Sequence, residues 1–307
     1  MAGKLAEHWA ARLLTPALLF WATGALAWCW SRRPESARGD GLLTDFSAGV
    51  EHRAEALGRL STPAQITWLV LALLLVAGSA MAAERLTAPF LRLLEGYWPA
   101  GRPRWLWQRL VNLAQWRRRQ LRDEWGELRR LESPGPSEQM REGVLGRRLH
   151  SLPPEQLIMP TALGNVLRAG ELRPARRYGL DAVVVWPRLW LLLPDTTSQE
   201  ISGARAQLDG AGRSCMWLVA AVAWSAFVWW LGPLVLAGAV LLYRSAVLPA
   251  ALVYSDLVEA AFDLHRPALY EALRLPLPER AQDEAAAGRA LTQYLWEGHA
   301  PDDLKFT

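Results

Sequence analysis

Apolar residues along this chain are concentrated in four blocks rather than spread evenly. The first two blocks, residues 13–30 and 66–83, are each 18 residues long and carry no charged side chain. As helices they would measure about 27 Å, close to the hydrocarbon thickness of a bilayer. A third block, 215–231, is followed by Gly232-Pro233 and a fourth block, 234–254, which predicts a helical hairpin that turns at Gly-Pro. The pattern therefore predicts four transmembrane helices.

The first block has an alternative interpretation as a cleaved signal peptide, because Lys4 and Arg12 precede it. Its length exceeds the roughly 7–15 apolar residues of an ordinary signal peptide. Ser31-Arg-Arg-Pro follows the block, where small cleavage-site residues would be expected. We therefore interpret the block as the first membrane segment.

Outside the blocks, the spacing of apolar residues predicts further helices. The second membrane helix is expected to continue to about residue 98, and residues 105–131 predict a long amphipathic helix with its leucines near one face. Thr161 is a predicted N-cap of a helix that reaches about Glu171. The apolar run 182–193 is too short to span a bilayer, so it is expected to be a buried element or a helix at the membrane edge.

Composition and charge support the membrane interpretation and orient it. Apolar residues make up 51% of the chain and charged residues 21%, a balance that disfavours a soluble enzyme. Residues 84–214 contain 21 arginines and 14 acidic residues, whereas residues 31–64 contain five of each. The positive-inside rule therefore places the arginine-rich region, and with it both termini, in the cytoplasm, although Arg32, Arg33 and Arg38 weakly oppose this orientation. The near absence of lysine is typical of a GC-rich bacterial genome, so the expected location is the bacterial inner membrane.

The predicted fold is an all-α membrane protein with four transmembrane helices and a helical cytoplasmic domain. Residues 244–307 contain six basic and ten acidic residues, opposite in sign to the arginine-rich region, so the two parts are expected to dock within or between subunits. The predicted segments are the N-terminus and first membrane helix at 1–30, an extracytoplasmic loop at 31–64, the second membrane helix with its extension at 65–98, a basic domain at 99–214, the hairpin at 215–254 and acidic helices at 255–307.

The long amphipathic helix interleaves tryptophans with arginines, and three interpretations of it remain open. It can be a packed helix with a solvated basic face, a helix that lies on anionic lipids, or one that presents arginines to an anionic ligand. The candidate residues for binding an anionic ligand or lipid are Arg117, Arg118, Arg119, Arg122, Trp116, Arg176 and Arg177.

Arg244 is the one charged residue within the fourth apolar block. If the chain turns at Gly232-Pro233, Arg244 lies about 16 Å further along the helix, near mid-membrane. A charge at that depth costs at least about 2.5 kcal/mol and normally faces a partner or water. The four blocks contain no Asp or Glu, which leaves a water-filled path, and the alternative is a position at the cytoplasmic edge. The predicted pore-lining residues are Arg244, Val240, Ala237 and Leu248.

Catalytic motifs are not found in the sequence. The five histidines lack HxxxH and HExxH spacing, and the two cysteines, Cys29 and Cys215, cannot form a four-ligand zinc site. There is no GxxxxGK[ST] loop and no GxSxG elbow. We therefore expect a protein that is not an enzyme and that uses neither a metal nor a cofactor.

Five strings carry a resemblance to known proteins. A group of actinobacterial multi-pass membrane proteins has segments similar to Thr161-Ala-Leu-Gly-Asn-Val-Leu-Arg, Arg177-Tyr-Gly-Leu-Asp, Trp186-Pro-Arg-Leu, Ala261-Phe-Asp-Leu-His-Arg and Leu273-Arg-Leu-Pro. A weaker resemblance is to the membrane channel effectors of Hailong-type anti-phage systems. That resemblance implies a channel controlled by an oligonucleotide that a nucleotidyltransferase partner makes.

Taken together, these patterns predict a homo-oligomeric channel or pore-type effector that is gated by a cytoplasmic ligand or partner, with a role in anti-phage defence. Its expected partners are membrane lipids, a nucleotide or oligonucleotide ligand and a cytoplasmic protein. The alternative is a membrane anchor or scaffold that recruits a cytoplasmic partner and conducts nothing.

Overall fold

The computed structural model describes residues 2–32, 58, 59, 61–98 and 104–298, with residues 2–14 described by their backbone alone, and all regular structure in these residues is helical. The all-α prediction is therefore confirmed. Most of the extracytoplasmic loop predicted at 31–64 lies outside the described residues. The α-helices are α1 (Ala2–Ser31), α2 (Thr62–Glu95), α3 (Arg104–Arg129), α4 (Pro136–His150), α5 (Ala162–Tyr178), α6 (Ala182–Leu192), α7 (Asp195–Ala221), α8 (Leu231–Leu242), α9 (Leu248–Ala272) and α10 (Ala281–Glu297).

The chain divides into two compact units. The first unit comprises Met1–Leu91 and Asp209–Ala246, and the second comprises Arg92–Leu208 and Val247–Thr307. Among the described residues, two helical runs are long and apolar enough to cross a membrane, Thr62–Glu95 and Leu231–Ala272. A membrane-associated helical protein is thus supported, with two candidate spans against the four that the sequence predicts.

The predicted hairpin differs most from the structure. Helix α7 ends at Ala221 within the third apolar block, and a 3-10 turn at Val222–Ala226 follows it. Gly232 and Pro233 do not form the turn but lie in the first turn of α8. Proline is tolerated there because backbone N–H groups in the first turn of a helix have no acceptor within the helix. The chain reverses instead near Phe227, since Cys215 approaches the carbonyl of Ala239 with an S···O distance of 3.8 Å.

Aromatic side chains hold the first unit together. Phe20 of α1 packs against Trp217 and Trp224, with ring centroids 4.9 Å apart in each pair. Trp21 donates a hydrogen bond from its indole N–H to Ser79 Oγ of α2 at 3.1 Å. Small and aromatic residues thus pack helix on helix, which suits surfaces that meet in an apolar solvent.

The core of the second unit lies between α5, α6, α9 and α10. Helix α6 follows its N-cap Asp181, whose carboxylate accepts a hydrogen bond from the Val183 amide at 2.9 Å, and it buries Val185 and Leu189 completely. Its other face exposes Val183 and Leu191, so the buried element and the membrane-edge helix both stay predictions for this run. Thr161 caps α5 as predicted, accepting a hydrogen bond from the Gly164 amide at 3.1 Å.

The basic and acidic parts of the second unit dock within one chain, as their opposite charges predict. Arg173 of α5 binds two acidic residues of α9 through Nη1, Asp256 at 3.0 Å and Glu259 at 2.8 Å. One turn further, Arg177 pairs with Asp263 at 3.2 Å. The spacing of basic residues on α5 thus matches that of acidic residues on α9 along their contact.

Candidate functional site

Helices α3 and α4 form an antiparallel hairpin that carries ten of the 34 lysines and arginines of the chain. Two ion pairs hold the hairpin, Arg129 with Glu142 at 3.5 Å and Arg141 with Glu124 at 2.5 Å. Gly146 of α4 packs against the indole ring of Trp125 of α3. A Cβ added at Gly146 would lie 3.4 Å from the indole nitrogen. The pairing fixes which residues of α3 face inward.

Next to this hairpin lies a cavity of about 270 Å³ within the second unit. Its walls come from α3, from the C-terminal end of α4, from the loop that follows and from α5. The lining residues are Arg118, Trp125, Gly146, Leu149, His150, Leu152, Pro153, Pro154, Ala169, Leu172, Arg173 and Arg176.

Arg118 is the unusual member of this lining. Its side chain is only 8% exposed, and its Nε and Nη1 atoms have no hydrogen-bond partner among the residues that the structure describes. Desolvation, followed by repulsion from Arg122, lowers the pKa of Arg118 from its usual value. A guanidinium stays protonated even when its pKa is lowered, so the side chain remains a cation. A buried cation without a hydrogen-bonded counter-charge is costly.

Arg173 also lines the cavity and is equally buried. Its Nη1 atom binds Asp256 and Glu259, and its Nη2 atom donates to the backbone carbonyl of His150 at 3.1 Å. Its Nε atom, in contrast, has no hydrogen-bond partner in the described part of the chain. The acidic residues of α9 therefore hold this guanidinium in place while one of its donors remains available.

Glu155 is the acidic residue nearest to the arginines of α3. It accepts a hydrogen bond from Arg119 Nε at 2.7 Å, and this bond lowers the pKa of Glu155 from its usual value. Arg119 is thus occupied by an acidic partner on the protein surface. Glu155 attracts Arg118 electrostatically but forms no hydrogen bond with it.

The structure separates the predicted anion-binding residues into two groups. Arg118 and Arg176 line the cavity, and Arg122 is close enough to lower the pKa of Arg118. The other candidates do not line it. Trp116 and Arg117 of α3 are exposed, Arg119 binds Glu155, and Arg177 binds Asp263.

Sequence reasoning missed two residues of the cavity, Arg173 and His150. Arg173 follows the buried residues Val166 and Ala169 by seven and four positions, so helical spacing puts it on the buried face of α5. An arginine on the otherwise apolar buried face of α5 could therefore have been recognised from the sequence as a buried cation. His150 lies in the last turn of α4 and contacts Glu259, with 3.2 Å between Nε2 and Oε2, a contact that local spacing does not predict.

The predicted pore-lining residues lie on the helical run that contains α8. Ala237 and Val240 are exposed in the single chain, and so is Arg244, which belongs to a π-helical turn at Tyr243–Val247. No residue in the described part of the chain forms an ion pair with Arg244. Leu248 belongs to the second unit and is half-buried.

The described residues contain no group of three or more His, Cys, Asp or Glu side chains that could hold a metal ion. Comparisons with protein-family models, with curated proteins and with solved structures give no match for this chain.

Proposed function

We propose that the protein is an oligomeric, multi-pass channel or pore-type effector of the bacterial inner membrane, with both termini in the cytoplasm and a second unit that receives a gating ligand or partner. A role in anti-phage defence belongs to the same proposal and rests on the resemblance described above. Four membrane helices per subunit remain part of the proposal.

Exposed apolar helices support the membrane part of the proposal. In the most apolar stretch of each candidate span, only 17% of the residues are buried within the chain. A core helix of a soluble protein of this composition would be mostly buried, because exposing leucine to water costs roughly 25 cal/mol for each Å². These helices therefore require lipid or further subunits around them.

Arg244 is the observation that carries the channel part. It is an exposed cation on a helix that is otherwise apolar, and it lies in line with Ala237 and Val240 at spacings of seven and four residues. A guanidinium in a membrane normally faces a bundle interior or a water-filled cavity. The π-helical turn at Tyr243–Val247 adds weight, because such insertions are frequent at functional sites. In an oligomer, this stripe would face a central aqueous path.

Ion selectivity in reconstituted bilayers tests the proposal. A ring of guanidinium groups attracts anions, so wild-type protein should conduct anions in preference to cations. Arg244→Ala should reduce that preference, Arg244→Glu should shift it towards cations, and Arg244→Lys should retain it. The measurement is the reversal potential under a salt gradient.

Ser245→Ala is the matched control, because Ser245 is the exposed neighbour of Arg244 in the same π-helical turn. It should leave the reversal potential unchanged. If all four variants have the reversal potential of the wild type, Arg244 does not line a conducting path. Wild-type protein that assembles correctly yet passes no current with its ligand and partner present would favour the non-conducting anchor.

A further inference from the structure

We propose that the cavity between α3, α4 and α5 is a binding site for the phosphate group of a small molecule, with Arg118 and Arg173 as its principal donors. The site goes beyond the proposed channel function and does not depend on it, because binding is measured without any current.

The unused hydrogen-bond donors carry this inference. Nε and Nη1 of Arg118 and Nε of Arg173 are buried and have no partner among the described residues, and both side chains belong to the lining of one cavity. Nearly all buried donors in proteins are satisfied, and each unsatisfied one costs free energy. Three unsatisfied donors on two arginines of the same cavity indicate a missing acceptor rather than three separate defects.

The charge of the cavity selects an anion as that acceptor. Asp256 and Glu259 already bind Arg173, and Arg119 occupies Glu155. Arg118 has no such carboxylate, and Arg122 and Arg176 raise the positive potential around it. A bound anion would offset the desolvation of Arg118 and the repulsion between these cations.

Phosphate fits the geometry better than a carboxylate does. Arg118 has two unpartnered donors, Nε and Nη1, which lie on different edges of its guanidinium, and the Nε–H of Arg173 is a third donor from another helix. A carboxylate has two oxygens in one plane, whereas a phosphate presents oxygens in several directions and can accept from donors that do not lie side by side. The volume of about 270 Å³ is near the lower end of small-molecule pockets, so the ligand is small.

Equilibrium dialysis of the full chain tests the site. The protein is reconstituted in phosphatidylcholine nanodiscs, which contain no anionic lipid, and the probes are radiolabelled inorganic phosphate and adenosine 5′-monophosphate. We expect saturable binding of at least one probe. Arg118→Gln should weaken it on the order of ten- to a hundredfold, the effect of losing charge-assisted hydrogen bonds.

Arg117→Gln is the matched control, because Arg117 precedes Arg118 on α3 and its side chain is exposed. It removes the same charge from the same helix and should change the affinity less than about twofold, since exposed charges are screened by salt.

Thermal stability distinguishes a binding arginine from a structural one. Without phosphate, Arg118→Gln should melt at the same or a higher temperature than the wild type, because it removes an unpaired buried charge. With saturating phosphate, the wild type should gain stability and the variant should not. A lower melting temperature of Arg118→Gln without phosphate, together with unchanged affinity, would make Arg118 structural and overturn the proposal.

A lipid headgroup is the other source of a phosphate group. A second experiment distinguishes a bound lipid from a soluble phosphate compound. Protein purified with phosphatidic acid is analysed by native mass spectrometry for retained lipid. Retention that Arg118→Gln abolishes and Arg117→Gln preserves would support the site and assign the phosphate to a lipid. If neither soluble probes nor phosphatidic acid bind in a manner that depends on Arg118, the proposal is wrong.

Discussion

At the scale of single residues, three consecutive arginines on α3 have three different environments. Arg117 is exposed, Arg118 is buried at the cavity and Arg119 binds Glu155. An anionic ligand was one of three interpretations of this helix from the sequence, which treated the three arginines as equivalent. Arg118 lies seven residues after buried Val111 and seven before Trp125, so helical periodicity alone could have distinguished it. Its lack of a counter-charge depends on tertiary contacts, which periodicity does not contain.

Tyr178 gives a prediction at the same scale. Burial, followed by a hydrogen bond to Asp263, raises the pKa of Tyr178 to about 12. Because this pKa exceeds the unfolded value of about 10, the contribution of the neutral Tyr178 to folding stability is present below pH 10 and is lost as the pH rises to about 12. In an absorbance titration, the wild type should show a late phenolate step that Tyr178→Phe reduces.

The whole tyrosine content provides the check on that titration. The chain has six tyrosines, and ionisation of all six in one step near pH 10 in the folded protein would contradict the assignment. The circular dichroism spectrum, recorded at each pH, verifies that the protein is still folded where the late step is read.

At the scale of elements, regular helices were predictable and their connections were not. Helix α3 was expected at 105–131 and is Arg104–Arg129, and the cap of α5 at Thr161 follows from a known residue preference. The turn of the hairpin was predicted wrongly at Gly232-Pro233, because a Gly-Pro pair suits the first turn of a helix as well as a loop. The actual reversal includes Trp229 and Trp230 and carries no local turn signal.

A close approach of two helices gives the prediction at this scale. At Gly288 of α10, an added Cβ would lie 1.9 Å from the carbonyl oxygen of Tyr178. Gly288→Ala should therefore separate α5 from α10 and destabilise the second unit by about 1–3 kcal/mol, the usual cost of overpacking. The measurement is the melting temperature of the full chain in detergent.

Gly203 of α7 supplies the control for this substitution. No atom lies within 4 Å of an added Cβ there, so Gly203→Ala should be neutral or stabilise the helix by up to about 1 kcal/mol. Equal melting temperatures for the two variants would show that α5 and α10 do not approach each other as closely as described.

At the scale of the whole molecule, the sequence predicted a membrane protein with opposite charges in its extramembrane parts. The structure supports the membrane helices through two candidate spans, and it supports the charge pairing through Arg173 and Arg177 on α5. The structure also contains a cavity whose lining residues, between 118 and 176, come from three helices and a loop. No single stretch of sequence predicts such a cavity, because its lining residues meet only through tertiary contacts. The central claim concerns the stripe on α8 that ends at Arg244.

Cysteine accessibility of this stripe is the most direct test of that claim. Cys29 and Cys215 are replaced by alanine, and single cysteines are placed at Ala237, Val240 and Leu234 in the reconstituted protein. Leu234 is exposed in the single chain but lies roughly a quarter turn from the stripe. With a charged, membrane-impermeant thiol reagent, Ala237→Cys and Val240→Cys should react and alter the current, whereas Leu234→Cys should not react. Equal protection at all three positions would mean that lipid or protein surrounds the helix, and it would contradict a water-filled path along α8.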